Sequence, residues 1–180
     1  AGKTYPGTVS FIASEAEYSD FARSVWPQLY RTAVMIVGDR QLAEDLVQTA
    51  LVKTYIAWPR LRETDNARAY TRRVMVNVAH DWFRKRAWTH ENPINATGED
   101  VPADDHSAAT VNRVTLADVL KTLPLGQRSV IALRFLDDLS VQETADLLNV
   151  TSGTVKSQTA DALAALRSHA HLIPEGSHHD

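Results

Sequence analysis

Residues 89–110 hold two prolines, one glycine and five acids with almost no apolar periodicity, so this stretch cannot contribute to a core and reads as a flexible linker. It divides a chain of 180 residues into two pieces, each of which must bury apolar surface with its own elements. The organisation expected is a unit at 1–88, the acidic linker at 89–110, a second unit at 111–172 and a tail at 173–180. Cysteine is absent, which excludes disulfides, thiolate zinc sites and cysteine nucleophiles and leaves packing alone to hold the chain. Charge follows the same division. Residues 1–88 carry 13 Lys/Arg against 9 Asp/Glu, residues 89–112 carry none against 5, and residues 113–180 carry 6 against 8, giving +4, -5 and -2 for a net -3. A net charge of this size argues against a protein that coats nucleic acid indiscriminately, and the asymmetry suits modules with separate partners. No apolar run nears the roughly 20 residues needed to span a bilayer, and the first residues lack the order of a secretion signal, so the expectation is a cytoplasmic protein without membrane insertion.

Apolar residues recur at helical spacing in both units. Phe21, Val25, Leu29, Ala33 and Ile36 mark a helix over 18–37 that Gly38 ends, with a short separate helix at 9–15 before it. Asp39 is placed to cap a second helix whose apolar face is Leu42, Leu46, Val47, Ala50, Leu51, Tyr55 and Trp58, stopped by Pro59. Asp65 can cap a third helix running to about residue 88. After the linker, helices are expected at 111–123, 127–137, 141–148 and 153–170, the third opened by the capping box Ser140/Glu143 and closed by Asn149. The fold class is therefore all-α: two small helical bundles joined by an acidic flexible linker.

The helix at 141–148, the tight turn at 149–152 and the helix opening Gly153-Thr154-Val155-Lys156-Ser157 form a helix-turn-helix, whose second helix suits a major groove. Gly153 lets backbone N–H groups approach a phosphate, and Thr154, Lys156, Ser157 and Gln158 offer base-edge and phosphate contacts. A capped helical hairpin packed on a neighbour would show the same pattern. In the third helix, Arg68, Arg72, Arg73, Arg84, Lys85 and Arg86 stand against one acid, Asp81, and alternate with Tyr70, Trp82, Phe83 and Trp88. Cations for phosphates and aromatic faces for bases favour opened DNA, although some of these aromatics are needed for a core and a charge run suits plain solvent. On the second helix Asp45, Gln48, Val52 and Lys53 lie off the apolar face, a mixed stripe that fits either protein docking or solvent.

Two other classes compete with these readings. A promoter-binding activator or repressor acting without polymerase would use the same helix-turn-helix, but neither a dimerisation surface nor an effector pocket stands out. A metal-dependent hydrolase would have to draw on His80, His90, His106, His169, His171, His178 and His179, and their spacing does not give helical ligand pairs with carboxylates. Neither a nucleophile, a phosphate loop nor a carboxylate pair is evident, so no catalytic residue, no metal and no cofactor is expected.

With these residues in view, Ala43-Glu44-Asp45-Leu46-Val47-Gln48 with Leu51 resembles the clamp-binding segment of RNA polymerase sigma factors. Val76-Asn77-Val78-Ala79 with Asp81 and Arg84-Lys85-Arg86 resembles their promoter-melting segment. Leu123-Pro124, Gln127-Arg128-Ser129-Val130, Leu139-Ser140-Val141-Gln142-Glu143-Thr144-Ala145 and Gly153-Thr154-Val155-Lys156-Ser157 resemble their promoter-binding C-terminal domain. The order of these motifs, the shortness of the chain and Lys156-Ser157-Gln158-Thr159-Ala160 resemble the extracytoplasmic-function group, and within it an actinobacterial branch. The resemblance implies a factor that directs core polymerase to promoters. Asp45, Gln48, Thr49, Val52 and Lys53 would meet the clamp helices of the largest polymerase subunit, Thr49 standing where the family often has an acid. Arg62, Asn66, Arg68, Arg72, Arg73, Asn77 and Asp81 would hold a base flipped from the minus-ten element while Arg84 and Lys85 steady the backbone. Ser152, Gly153, Thr154, Lys156, Ser157 and Gln158 would read the minus-thirty-five element, and Asp161, where many relatives carry Arg, would weaken that contact. The acidic linker would thread the polymerase near its template channel. The partners implied are bacterial core RNA polymerase, promoter DNA and an anti-sigma protein, for a chain that is a monomer when free.

Overall fold

The computed structural model describes residues 6–61, 64–91 and 116–170, with side chains for 15–61, 67–87 and 118–169. The expectations for the linker at 92–110, the helix start at 111–115 and the tail at 173–180 lie outside the described residues. All regular structure among the described residues is helical: α1 (Pro6–Val37), α2 (Arg40–Ala57), α3 (Thr64–Glu91), α4 (Leu116–Thr122), α5 (Leu125–Ile131), α6 (Val141–Leu148) and α7 (Ser152–Ala170). A 3-10 turn, Trp58–Arg60, follows α2, and α5 widens without a break into a π-helical turn, Ala132–Leu136.

The helices at 9–15 and 18–37, expected as separate, are one helix, because no residue between Glu15 and Tyr18 breaks the backbone pattern. Pro27 sits inside α1 and removes one N–H, but it and Arg23, whose carbonyl loses that donor, are both exposed to water. Gly38 ends α1 with φ +74, and its N–H bonds the Val34 carbonyl at 2.8 Å. Asp39 caps α2 as expected, accepting from the Leu42 N–H at 2.7 Å. The third helix starts at Thr64, so Asp65 lies in its first turn rather than before it, and it runs to Glu91, three residues beyond Trp88.

Helices α1, α2 and α3 pack into a bundle around Phe21, Val25, Leu29, Ile36, Leu46, Val47, Met75 and Val76. Its open end is closed by rings: Tyr18 meets Tyr55 at 4.9 Å and Trp58 at 5.2 Å, and its hydroxyl donates to the Leu51 carbonyl at 2.5 Å. Burial, with the nearby Tyr55 adding, pushes the Tyr18 phenol up to about 12. In the C-terminal half Leu120, Leu123, Ile131 and Ala162 join α4, α5 and α7, while Val130, Ala145 and Val155 join α5, α6 and α7.

The two bundles do not stand apart. Ala132, Leu133 and Leu147 of the C-terminal half belong to the same buried cluster as the α1–α3 core, and Met35 of α1 packs on the cluster of Leu120, Leu123, Ile131 and Ala162. The approach is close enough that a Cβ at Gly38 would lie 2.8 Å from Cγ of Lys121 and 3.3 Å from Nη1 of Arg128, so only glycine fits. Arg128, nearly buried, lies with its guanidinium 5.2 Å from the centre of the Phe83 ring. Each half had supplied a helical face of its own, and these faces meet.

Candidate functional site

Three surfaces carry the residues singled out by sequence. On α2, Asp45, Gln48, Thr49, Val52 and Lys53 line one shallow open depression. Helical spacing places them there, since positions 45, 48, 49, 52 and 53 recur every three or four residues opposite the buried Ala43, Leu46, Val47 and Ala50. The Thr49 hydroxyl donates back to the Asp45 carbonyl at 2.8 Å, and the Gln48 amide donates to Glu44 at 3.3 Å. Val52 is 60% exposed, and Ile56, one turn on, is 74% exposed. Ile56 was not singled out by sequence. The signal that finds it is an aliphatic residue four after another on the polar side of an amphipathic helix. Tyr55, assigned to the apolar face, keeps 40% of its surface exposed even though its ring packs on Tyr18.

On α3, Arg73, Asn77, Asp81 and Arg84 follow one another along a stripe that faces solvent, with Lys85 and Arg86 beside it. Arg84 forms a short ion pair with Asp81, and Arg68 donates to the Ser24 hydroxyl at 3.1 Å. The side chains of Arg62 and Asn66 lie outside the described residues. Arg72 is off the stripe: it turns toward the C-terminal half and pairs with Asp137 at 2.9 Å. The aromatics also divide. Trp82 and Phe83 pack against the core, so they are not open platforms for a base, and Tyr70 is half-buried.

His80, on the inner side of α3, places Nε2 3.0 Å from the Ser129 hydroxyl across the junction of the two halves. Burial lowers its pKa from 6.5, the Asp81 charge opposes that shift and Arg84 adds to it. A folded-state pKa below the unfolded one means that the unfolded chain binds the proton first. Stability is therefore full above pH 6.5, falls as the pH drops through the interval below it, and levels off under the depressed value. Urea midpoints measured between pH 5 and pH 7.5 should show this decline, and His80→Gln should flatten it. His169 is occupied within its own helix, its Nδ1 2.8 Å from the Ala165 carbonyl. The described residues contain no group of three or more histidines and carboxylates able to hold a metal.

The helix-turn-helix forms as its capping residues dictate. Ser140 and Glu143 bond reciprocally at 3.1 and 2.7 Å, Asn149 takes φ 55 to end α6, and Thr151 accepts from the Thr154 N–H at 3.1 Å to open α7. The Glu143 carboxyl is held below its usual range first by the Ser140 bonds, with the Arg72 charge adding. Val155 is fully buried, which turns Gly153, Lys156 and Ser157 outward. Ser152 donates to Gln142 at 2.9 Å, fastening the two helices, and Thr154 is half-buried. Gln158 folds back over α5, its amide Nε2 3.0 Å from where a Gly126 Cβ would stand.

Two family descriptions match in order along the chain, Sigma-70 region 2 over residues 21–89 and Sigma-70, region 4 over residues 113–166. The RNA polymerase sigma-E factor of Streptomyces coelicolor is 41% identical over 151 residues, covering 84% of each chain. That of Streptomyces antibioticus is 38% identical over 84% of this chain and 83% of its own, and the ECF RNA polymerase sigma factor SigX of Bacillus subtilis is 26% identical over 82% and 80%. Among solved structures, the sigma factor RpoE in complex with the anti-sigma factor NepR from Bartonella quintana superposes with a TM-score of 0.63 at 24% identity, covering 84% of this chain and 97% of that one. CnrH in complex with the cytosolic domain of CnrY gives a TM-score of 0.59 at 20% identity, covering 87% and 89%, and these two likenesses establish the fold. With both sigma-70 regions in sequence order and the Streptomyces sigma-E factors among its relatives, the chain belongs to the RNA polymerase sigma factors, in an actinobacterial branch of the extracytoplasmic-function group.

Proposed function

We propose that the three exposed surfaces divide the work of promoter recognition between them. As a sigma factor the chain directs core RNA polymerase to specific promoters and so starts transcription. Within that role Asp45, Gln48, Thr49, Val52 and Lys53, extended by Ile56, dock on the polymerase clamp. The stripe Arg73, Asn77 and Asp81 holds an unpaired minus-ten base, and Arg84 with Lys85 steadies its backbone. Gly153, Lys156 and Ser157 approach the minus-thirty-five duplex, with Ser152, Thr154 and Gln158 setting the pose of α7. The units at 1–88 and 111–172 thus take different partners, and the linker at 89–110 lets them part. The chain supplies recognition and the polymerase supplies the chemistry, in the cytoplasm where both templates and enzyme reside. Among the described residues no helix is long and apolar enough to cross a membrane. One structure that shares the fold is a sigma factor in complex with an anti-sigma factor, which supports regulation of this chain by an anti-sigma protein.

The observation that carries the reading is the gathering of all five expected clamp residues around one open depression, with Val52 60% exposed among them. Promoter-specific initiation should appear when the chain and bacterial core polymerase are combined with a promoter library, and neither component alone should give it. Val52→Glu places a charge where the clamp would bury a methyl surface, and burying even one such side chain is worth roughly 1.5–3 kcal/mol. Affinity for core polymerase, read by titration of the labelled chain, should fall at least about tenfold. The thermal midpoint should hold, because Val52 is 60% exposed. Unchanged affinity would remove the clamp assignment.

A further inference from the structure

We infer that Asp137 is an intramolecular latch that holds the free chain closed and keeps Arg72 from DNA until core polymerase opens it. It rests on the surfaces proposed above. Asp137 follows the π-helical turn of the C-terminal half, and its side chain is 1% exposed. The side chains that meet its carboxylate come from the N-terminal half. Its Oδ1 accepts from the Gln28 amide at 2.6 Å and from the Thr32 hydroxyl at 2.9 Å, while the Gln28 amide also donates to the Leu136 carbonyl at 2.6 Å. Its Oδ2 lies 2.9 Å from Nε of Arg72, a charge contact without hydrogen-bond alignment.

The turn is shaped for this grip. The wide helical turn closes with the Asp137 N–H on the Ala132 carbonyl at 3.2 Å, and Asp138 takes φ 52, a conformation that a residue with a Cβ adopts at some cost. The carboxylate is thereby delivered into the junction rather than into water. A buried ion pair contributes little to stability compared with apolar packing, because both charges lose their hydration, but removing one partner leaves the other stranded. Such a pair is better suited to registering two states than to strengthening one. Here it occupies Arg72, one of the cations that the sequence resemblance assigns to the minus-ten element.

The closed arrangement also limits reach. Elements centred near minus ten and minus thirty-five are separated by roughly 25 base pairs, about 85 Å of duplex at 3.4 Å per step. A compact chain of this length is roughly 40 Å across. One closed molecule therefore does not bridge both elements, and promoter engagement requires the junction to part. A binding-competent state that is only a fraction of the population lowers apparent affinity by that fraction, so weakening the latch strengthens binding.

The chain has no native cysteine, so Glu17→Cys and Ala164→Cys, both at exposed positions in different halves, accept a donor and acceptor dye specifically. In the full-length labelled chain, Asp137→Asn should lower energy transfer between the halves and lower the apparent Kd for core polymerase about three- to tenfold. Gln28→Ala, which removes the bonds from the opposite side of the junction, should move both readings in the same direction and decides the matter if Asp137→Asn does not fold. Unchanged energy transfer in the folded variants overturns the latch, and so does lowered transfer with unaltered core affinity. Should the unmodified chain fail to bind core at all, the docking assignment falls, while the distance reading still judges the latch.

Discussion

Reversing two charges, Arg84→Glu with Lys85→Glu, should abolish promoter opening while leaving core polymerase bound. Arg84 lies on the exposed stripe of α3, with its side chain 76% exposed, and Lys85 is exposed beside it, so neither supports the core. Each charged contact to a phosphate contributes about 1.5–3 kcal/mol, and two of them together correspond to roughly a hundredfold or more in formation of the open complex. Two further effects act in the same direction. The new carboxylates repel the DNA backbone, and Glu at 84 faces Asp81, which in the native chain is paired with Arg84. Permanganate footprinting of a promoter bubble with reconstituted holoenzyme measures opening, and co-elution with core measures docking. Opening should drop by about two orders of magnitude with co-elution intact. The dependence of DNA binding on log salt should also flatten by about two units, one for each lost phosphate contact. Equal loss of opening and docking would mean that this surface serves the polymerase rather than the DNA.

The second large effect concerns the junction. Leu133 is fully buried and belongs to the same cluster as Phe21, Leu46 and Met75 although it lies in the C-terminal half. Leu133→Ala removes packing from both sides at once, and losses at such sites run from about 2 to 5 kcal/mol. For a chain of this size that corresponds to a fall in the thermal midpoint of roughly 10 °C. The form of the transition matters as much as its position. A shared core predicts one cooperative unfolding step that shifts as a whole, followed identically by tryptophan fluorescence and far-UV circular dichroism. Two steps, of which only one moves, would show that the halves are independent and that their contact is incidental. The same closed core gives the His80 prediction its physical content, because the ring sits where α3 meets Ser129 of the other half.

Most of what could be read from the residues concerned interactions that span four positions or fewer. Asp39, the Ser140/Glu143 box and Asn149 each act on a neighbouring backbone group, so the start of α2 and both ends of α6 were evident without any knowledge of packing. Helical spacing also marked Asp45, Gln48, Val52 and Lys53 off the apolar face of α2, where they emerge exposed, while Thr49 came from the resemblance alone. The same spacing indicated that Trp82 and Phe83 could serve either bases or a core. Burial decided for the core, because both pack on the α1–α3 cluster.

What the chain determined unaided was therefore its set of helices, their caps, the helix-turn-helix and the faces that must leave water. Periodicity places Leu133 and Met35 on helices, but it does not state against which partner they pack. Closure of the halves, capture of Arg72 by Asp137 and the folding of Gln158 over Gly126 were settled only in three dimensions. Gln28 and Asp137 are separated by 109 positions, and their bond exists because two apolar surfaces meet and bring a donor and an acceptor together. A local rule acts through the backbone between neighbours, whereas a contact of this kind depends on the shape of the whole core.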